Sequence, residues 1–176
     1  MKVLYPLLAM MLLLHIPTVA ISSDAPVRYS GSDFSKRAAV YARNGVVSTS
    51  HPLASQIGLQ VLKDGGNAID AAIAAHAALG LMEPTGCCIG GDLFALVWMA
   101  KEKKLYGLNA SGRAALEISR EKVLSDGHDS MPFDGALAVT VPGTVDGWFK
   151  LNERFGSQSM AKLLAPAIEY AREGFV

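Results

Sequence analysis

Among the residues able to do chemistry, Arg113 has the most suggestive position. It follows Ser111-Gly112 in a turn at the end of a predicted buried strand, where a guanidinium can offer a carboxylate two parallel N–H donors. Glu117, four residues on, offers the same arginine a surface ion pair instead, and both uses stand on these grounds. Gly86-Cys87-Cys88-Ile89-Gly90-Gly91 is a glycine-rich turn of the kind that cradles phosphates. A dinucleotide fingerprint, however, leads from a strand into a helix. Here an apolar helix precedes the turn, a strand follows, and no Walker lysine is present, so a tight turn beside a site or a packing crossing is the better reading. Ser50, His51, Cys87 and His128 supply the parts of a nucleophilic triad, but no spacing ties them together. His76 lies within an apolar helix and reads as a core histidine with one satisfied hydrogen bond. His51 beside Pro52 reads as part of a helix start. No pair of His, Cys or Asp residues has metal-ligand spacing, so neither a metal nor another cofactor is expected. Cys87 and Cys88 are neighbours, too close for an ordinary disulfide. They read as small buried filler or as a vicinal redox pair.

The elements that must position these groups follow from periodicity and punctuation. Asn44-Gly45 marks a turn, and the β-branched run from Val46 to Ser50 predicts a strand. Pro52 suits a first helical position. Ala54, Ile57, Gly58, Val61 and Leu62 then recur on one helical face until Gly65-Gly66 stops the helix. Asn67 caps the next helix, with Asp70 at its positive end. From Ala68 to Met82 that helix is apolar all round, which predicts burial on every side and close approach over its alanines. Glu83-Pro84 ends it. Leu93–Met99 and Leu105–Asn109 read as two strands, half or wholly buried, joined by a charged hairpin at Lys101–Lys104. A helical stretch after Arg113, a strand at Ala138–Val141, and helices at about Thr144–Phe155 and Ser159–Glu173 complete the pattern. Four or more helices with about four strands predict an α/β, layered arrangement. With few strands and an ending at Gly174-Phe175-Val176 that leads toward another element, the chain is read as the front of a larger, incomplete domain.

The 176 residues are 51% hydrophobic and 18% charged, which excludes a disordered chain and allows one core. Sixteen basic residues balance sixteen acidic ones, leaving no field to recruit nucleic acid or an anionic membrane. Lys2, the apolar run Val3–Leu14 and the small residues Thr18-Val19-Ala20 have the layout of a signal peptide over residues 1–20. An uncleaved membrane anchor is the alternative. Residues 21–40 read as a Ser-, Asp- and Gly-containing leader, and 41–176 as the incomplete domain. The mature protein is therefore expected outside the cytoplasm, periplasmic or secreted.

Five stretches together resemble the gamma-glutamyltranspeptidase family. They are VVSTSHPLASQIGLQVLKDGGNAIDAA (46–72), EPTGCCIGGDLF (83–94), LNASGRAA (108–115), LAVTVPGTVDGW (137–148) and PAIEYAREGF (166–175), in the family's order. The resemblance implies part of an αββα sandwich of the N-terminal-nucleophile hydrolase type, the front of the large subunit. It also implies a precursor that cleaves itself, and a threonine at the head of the small subunit that attacks the gamma-glutamyl amide with its own amino group as base. Water or an acceptor amino acid or peptide then resolves the gamma-glutamyl enzyme, glutathione being one donor. No threonine here stands in the family's nucleophile context, so the nucleophile and the oxyanion hole are expected beyond Val176, on the partner small subunit, and this chain alone is expected to be inactive. Arg113 occupies the position whose arginine binds the glutamyl α-carboxylate. Gly112 and Gly90-Gly91 are implied to let backbone approach the site. Cys87-Cys88 stand where small hydroxyl residues are usual, and Asn109-Ala110-Ser111 resembles the transpeptidase-like bacterial branch. An acylase acting on cephalosporin or glutaryl side chains therefore stands beside glutathione hydrolysis, as does a non-catalytic glutamate-binding remnant.

Overall fold

The computed structural model describes residues 39–175. The proposed signal peptide and nearly all of the leader lie outside the described residues. The compact unit considered below is Ala42–Val176.

Helix α1, Pro52–Lys63, begins where His51 Nδ1 accepts from the Leu53 amide at 3.3 Å, so the histidine serves as the cap that Pro52 cannot disturb. Its buried face is Ala54, Ile57, Gly58 and Val61, with Leu62 half-buried at the edge. Helix α2, Ala68–Met82, opens with a capping box. The Asn67 side chain accepts from the Ile69 and Asp70 amides, and Asp70 Oδ2 accepts from the Asn67 amide at 2.9 Å. Expected burial on every side holds for most of α2, with an exception: Ala68 and Ala72 are exposed, and both line a cavity described below.

Strands β1, Leu93–Met99, and β2, Lys104–Ala110, form an antiparallel hairpin in which Leu93 faces Ala110 and Met99 faces Lys104. Of the two expected states, half or wholly buried, the hairpin takes the first. Leu93, Val97 and Ala110 turn inward, whereas Phe94, Leu96, Trp98 and Leu105 on the other face are 57–79% exposed. With a side-chain period of two, a two-layer stack covers one face of this hairpin and leaves the other open.

Helix α3, Arg120–Ser125, is short. Helices α4, Thr144–Phe155, and α5, Met160–Glu173, are amphipathic and close the unit. α1 packs on α2, α2 packs on both α4 and α5, and α4 lies against the inner face of the hairpin. The core runs through these layers from Ala54 and Ile57 through Ile73, Ala74 and Ala78 to Leu93, Val97, Trp148, Leu151 and Leu163. This mixed α/β layering agrees with the expected fold class.

Two expected strands do not form. Val46–Thr49 has no regular secondary structure and Ser50 is a bend, and Ala138–Val141 opens as a 3₁₀ turn at Ala136–Ala138 before Val139 becomes extended. Their β-branched residues favour extended backbone, but a strand also needs a neighbour to complete its ladder. Among the described residues the hairpin is the whole sheet.

Candidate functional site

Three segments meet at the end of the hairpin. Gly91-Asp92 enters β1, Ser111-Gly112-Arg113 leaves β2, and Thr140–Thr144 leads into α4. Asp92 Oδ1 accepts from the Gly112 amide at 2.7 Å and from Thr140 Oγ1 at 3.3 Å, while its Oδ2 accepts from Ser111 Oγ at 3.1 Å. The Gly91 carbonyl accepts from the Gly143 and Thr144 amides, both at 3.0 Å, and the Arg113 carbonyl accepts from the Val141 amide at 2.9 Å. Arg113 is therefore held by its own carbonyl to Val141 and through the Gly112 amide to Asp92, with its side chain exposed. Glu117 does not pair with it: among the described residues the one ion pair is Lys122–Asp126.

The crossing is tight. A Cβ on Gly112 would fall on the Val141 carbonyl oxygen, and one on Gly143 would fall on that of Ala110, so both positions require glycine. Gly90 and Gly91, expected to serve close approach, are less constrained. A Cβ there would meet only Cys88, its Sγ at 3.9 Å from Gly90 and its Sγ and carbonyl oxygen at 3.4 and 3.6 Å from Gly91, all ordinary contacts. The close approach belongs to Gly112 and Gly143. Cys87 and Cys88 are half-buried free thiols beside α2.

The Gly112 amide above all, together with the Ser111 and Thr140 hydroxyls, favours the charged form of Asp92 and holds its carboxyl below the ordinary aspartate range despite an opposing desolvation. Asp92 does not stand out in the sequence as a site residue. The available signal was a carboxylate placed directly before an apolar strand, where it has little to gain unless donors surround it.

Asp92 also lines a cavity of about 450 Å³ bounded by Val46–Thr49, by α2 from Ala68 to Leu79, by Leu93–Ala95 and by Trp148. His76 stands in its wall. Trp148 Nε1 donates to His76 Nδ1 at 2.8 Å, with the rings edge to face and 5.6 Å apart, so the neutral imidazole carries its proton on Nε2. Burial lowers the His76 pKa. This is the core histidine with one satisfied bond that the sequence suggested. Ser50, His51, Cys87 and His128 form no triad: Ser50 Oγ donates to Glu83, and His51 caps α1. Among the described residues no three His, Cys, Asp or Glu side chains cluster to hold a metal ion.

The hairpin on a helical layer, ended by a turn that leaves the Arg113 side chain exposed, defines a mixed α/β protein. A family model described as gamma-glutamyltranspeptidase matches residues 54–176, and the chain belongs to that family. A glutathione hydrolase proenzyme of Bacillus subtilis is 39% identical over 137 residues, covering 76% of this chain and 23% of that protein. The cephalosporin acylase of Bacillus halodurans superposes with a TM-score of 0.74 at 50% identity, over 85% of this chain and 27% of that one. For the Helicobacter pylori gamma-glutamyltranspeptidase the values are 0.72 and 36%, over 78% and 40%. This chain spans about a quarter of the length of the curated relatives it matches.

Proposed function

We propose that this chain supplies the substrate-carboxylate site of an enzyme that transfers or hydrolyses gamma-glutamyl groups, glutathione among its donors. The observation that carries the reading is Arg113, exposed, unpaired with Glu117, and held by its carbonyl to the Val141 amide and through the preceding Gly112 amide to the Asp92 carboxylate. A guanidinium so presented binds a carboxylate through two parallel donors. The names of the relatives, glutathione hydrolase and gamma-glutamyltranspeptidase, agree with it. Chemistry would proceed through a threonine nucleophile and oxyanion donors on a companion segment, with water or an amine resolving the acyl intermediate. The N-terminal layout of Lys2, Val3–Leu14 and Ala20 supports export, with the mature chain starting at Ile21.

Acylase activity is the second reading, favoured by the 50% identity to the cephalosporin acylase. Glutaryl and gamma-glutamyl groups share the carboxylate and differ in the amino group, so Arg113 serves both. The test expresses the complete protein, recovers it outside the cytoplasm and measures nitroaniline release from gamma-glutamyl and glutaryl nitroanilides. Faster turnover of the gamma-glutamyl compound is expected, with Arg113→Ala raising KM about a hundredfold. Preference for the glutaryl compound would assign the acylase reading. Binding of glutamate without turnover of either compound would leave only the non-catalytic role, and an unchanged KM in Arg113→Ala would refute the site.

A further inference from the structure

We infer that Asp92 is a positioning residue for Arg113: it fixes the turn from which the guanidinium meets the substrate carboxylate and does not itself bind the substrate's amino group. The inference rests on the reading of Arg113 given above and adds the group that makes that arginine usable. β2 ends at Ala110, so no ladder holds the turn that follows. The turn is held instead by Asp92, which takes the Gly112 amide at 2.7 Å and the Ser111 and Thr140 hydroxyls at 3.1 and 3.3 Å. The adjacent Gly91 carbonyl takes the amides of Gly143, which precedes α4, and Thr144, which begins it. One dipeptide thereby joins segments about 20 and 50 residues away, and the Val141–Arg113 backbone bond closes the arrangement from the other side. A carboxylate has about four acceptor sites. Three are occupied by donors of this chain, which suits a structural clasp better than a ligand for an incoming ammonium. Among the described residues the arginine has no side-chain partner to aim it, so its direction depends on the backbone that Asp92 fixes. A displacement of about 1 Å in such a support is enough to cost a large factor in binding.

The experiment measures, by calorimetry on the complete protein, the affinities of L-glutamate, of glutarate, which lacks the amino group, and of 4-aminobutyrate, which lacks the α-carboxylate. Asp92→Ala is expected to weaken L-glutamate and glutarate alike, about tenfold, and to leave 4-aminobutyrate unchanged. Asp92→Asn keeps an oxygen for the Gly112 amide and is expected to lose about threefold on the same two ligands. Thermal melting followed by circular dichroism establishes that each variant folds. If Asp92→Ala does not, Asp92→Asn and Thr140→Val, which removes one donor and leaves the carboxylate intact, decide the matter through the same pattern of ligands. Loss confined to L-glutamate would make Asp92 the ammonium ligand and overturn the inference, as would equal loss on all three ligands or none on any. If Arg113→Ala spares L-glutamate and glutarate, the underlying reading of Arg113 fails, a result distinct from any given by the Asp92 variants.

Discussion

Removing the Asp70 carboxylate should cost more stability than any other single exposed or buried charge in this unit. The side chain is fully buried and ties the start of α2 to the connection between α4 and α5. Besides the Asn67 amide it accepts from the Ser157 amide at 3.0 Å, the Ser157 hydroxyl and the Gln158 amide at 3.3 Å. Burial alone would raise its pKa. The Ser157 hydroxyl and the Asn67, Ser157 and Gln158 amides outweigh that, so the carboxyl lies below the ordinary value of 3.8. Hydrogen bonds to a charged group contribute about 1.5–3 kcal/mol each, but four around one carboxylate are not additive, and some freed donors recover water. Asp70→Ala is therefore expected to lose about 3–5 kcal/mol. Against a total of about 5–15 kcal/mol, that brings the chain near its unfolding limit. Urea denaturation at pH 7 should show the midpoint falling by about 2 M at an unchanged slope. The pH dependence provides a second check. A depressed carboxyl contributes its stability fully above the unfolded pKa and loses it as pH falls from about 5 through the folded pKa. Asp70→Asn should flatten that acid limb in part, since Asp92 and Glu121 also have lowered values. A loss below about 1 kcal/mol in Asp70→Ala, or an acid limb in Asp70→Asn identical to the parent's, would refute the reasoning.

Two further perturbations test the packing around the cavity and the site. His76 has a folded pKa below 6.5, so the unfolded chain takes up its proton first and stability falls as pH drops from about 7 through the folded value. Replacing it by Gln should flatten that window in a urea titration series, and a persisting slope would assign the effect elsewhere. Gly112→Ala drives a methyl into the Val141 carbonyl and must separate the two segments that frame Arg113. It should abolish L-glutamate binding in calorimetry while leaving the α1–α2 helical signal in circular dichroism, and retention of wild-type affinity would show that the crossing is looser than its geometry.

Local chemistry was readable where the answer depends on neighbours along the chain. The Asn67–Asp70 cap, the Pro52 start, the hairpin around Lys101–Lys104 and the face of α1 follow from spacing alone, because capping and amphipathic burial are decided within a few residues. The strands at Val46–Ser50 and Ala138–Val141 were not readable in the same way. Extended propensity was present, yet a strand is defined by a partner that these residues do not find. At the site, Arg113 was visible from its turn and its motif, whereas Asp92 was not, since its three donors lie 19, 20 and 48 residues away.

By itself the sequence determined the helices, the hairpin, the family resemblance and the arginine. Tertiary structure decided that Asp70 reaches 87 residues ahead to Ser157, that Trp148 satisfies His76 across 72, and that Asp92 gathers the turn that presents Arg113. It also decided which face of the hairpin is covered: helix α4 packs on one side, and Phe94, Leu96 and Trp98 stand open on the other. The physical reason is common to all of these. Hydrogen bonds and apolar contacts depend on which groups the fold brings within a few ångströms, and distance along the chain carries almost no information about that once a segment leaves its own helix or hairpin.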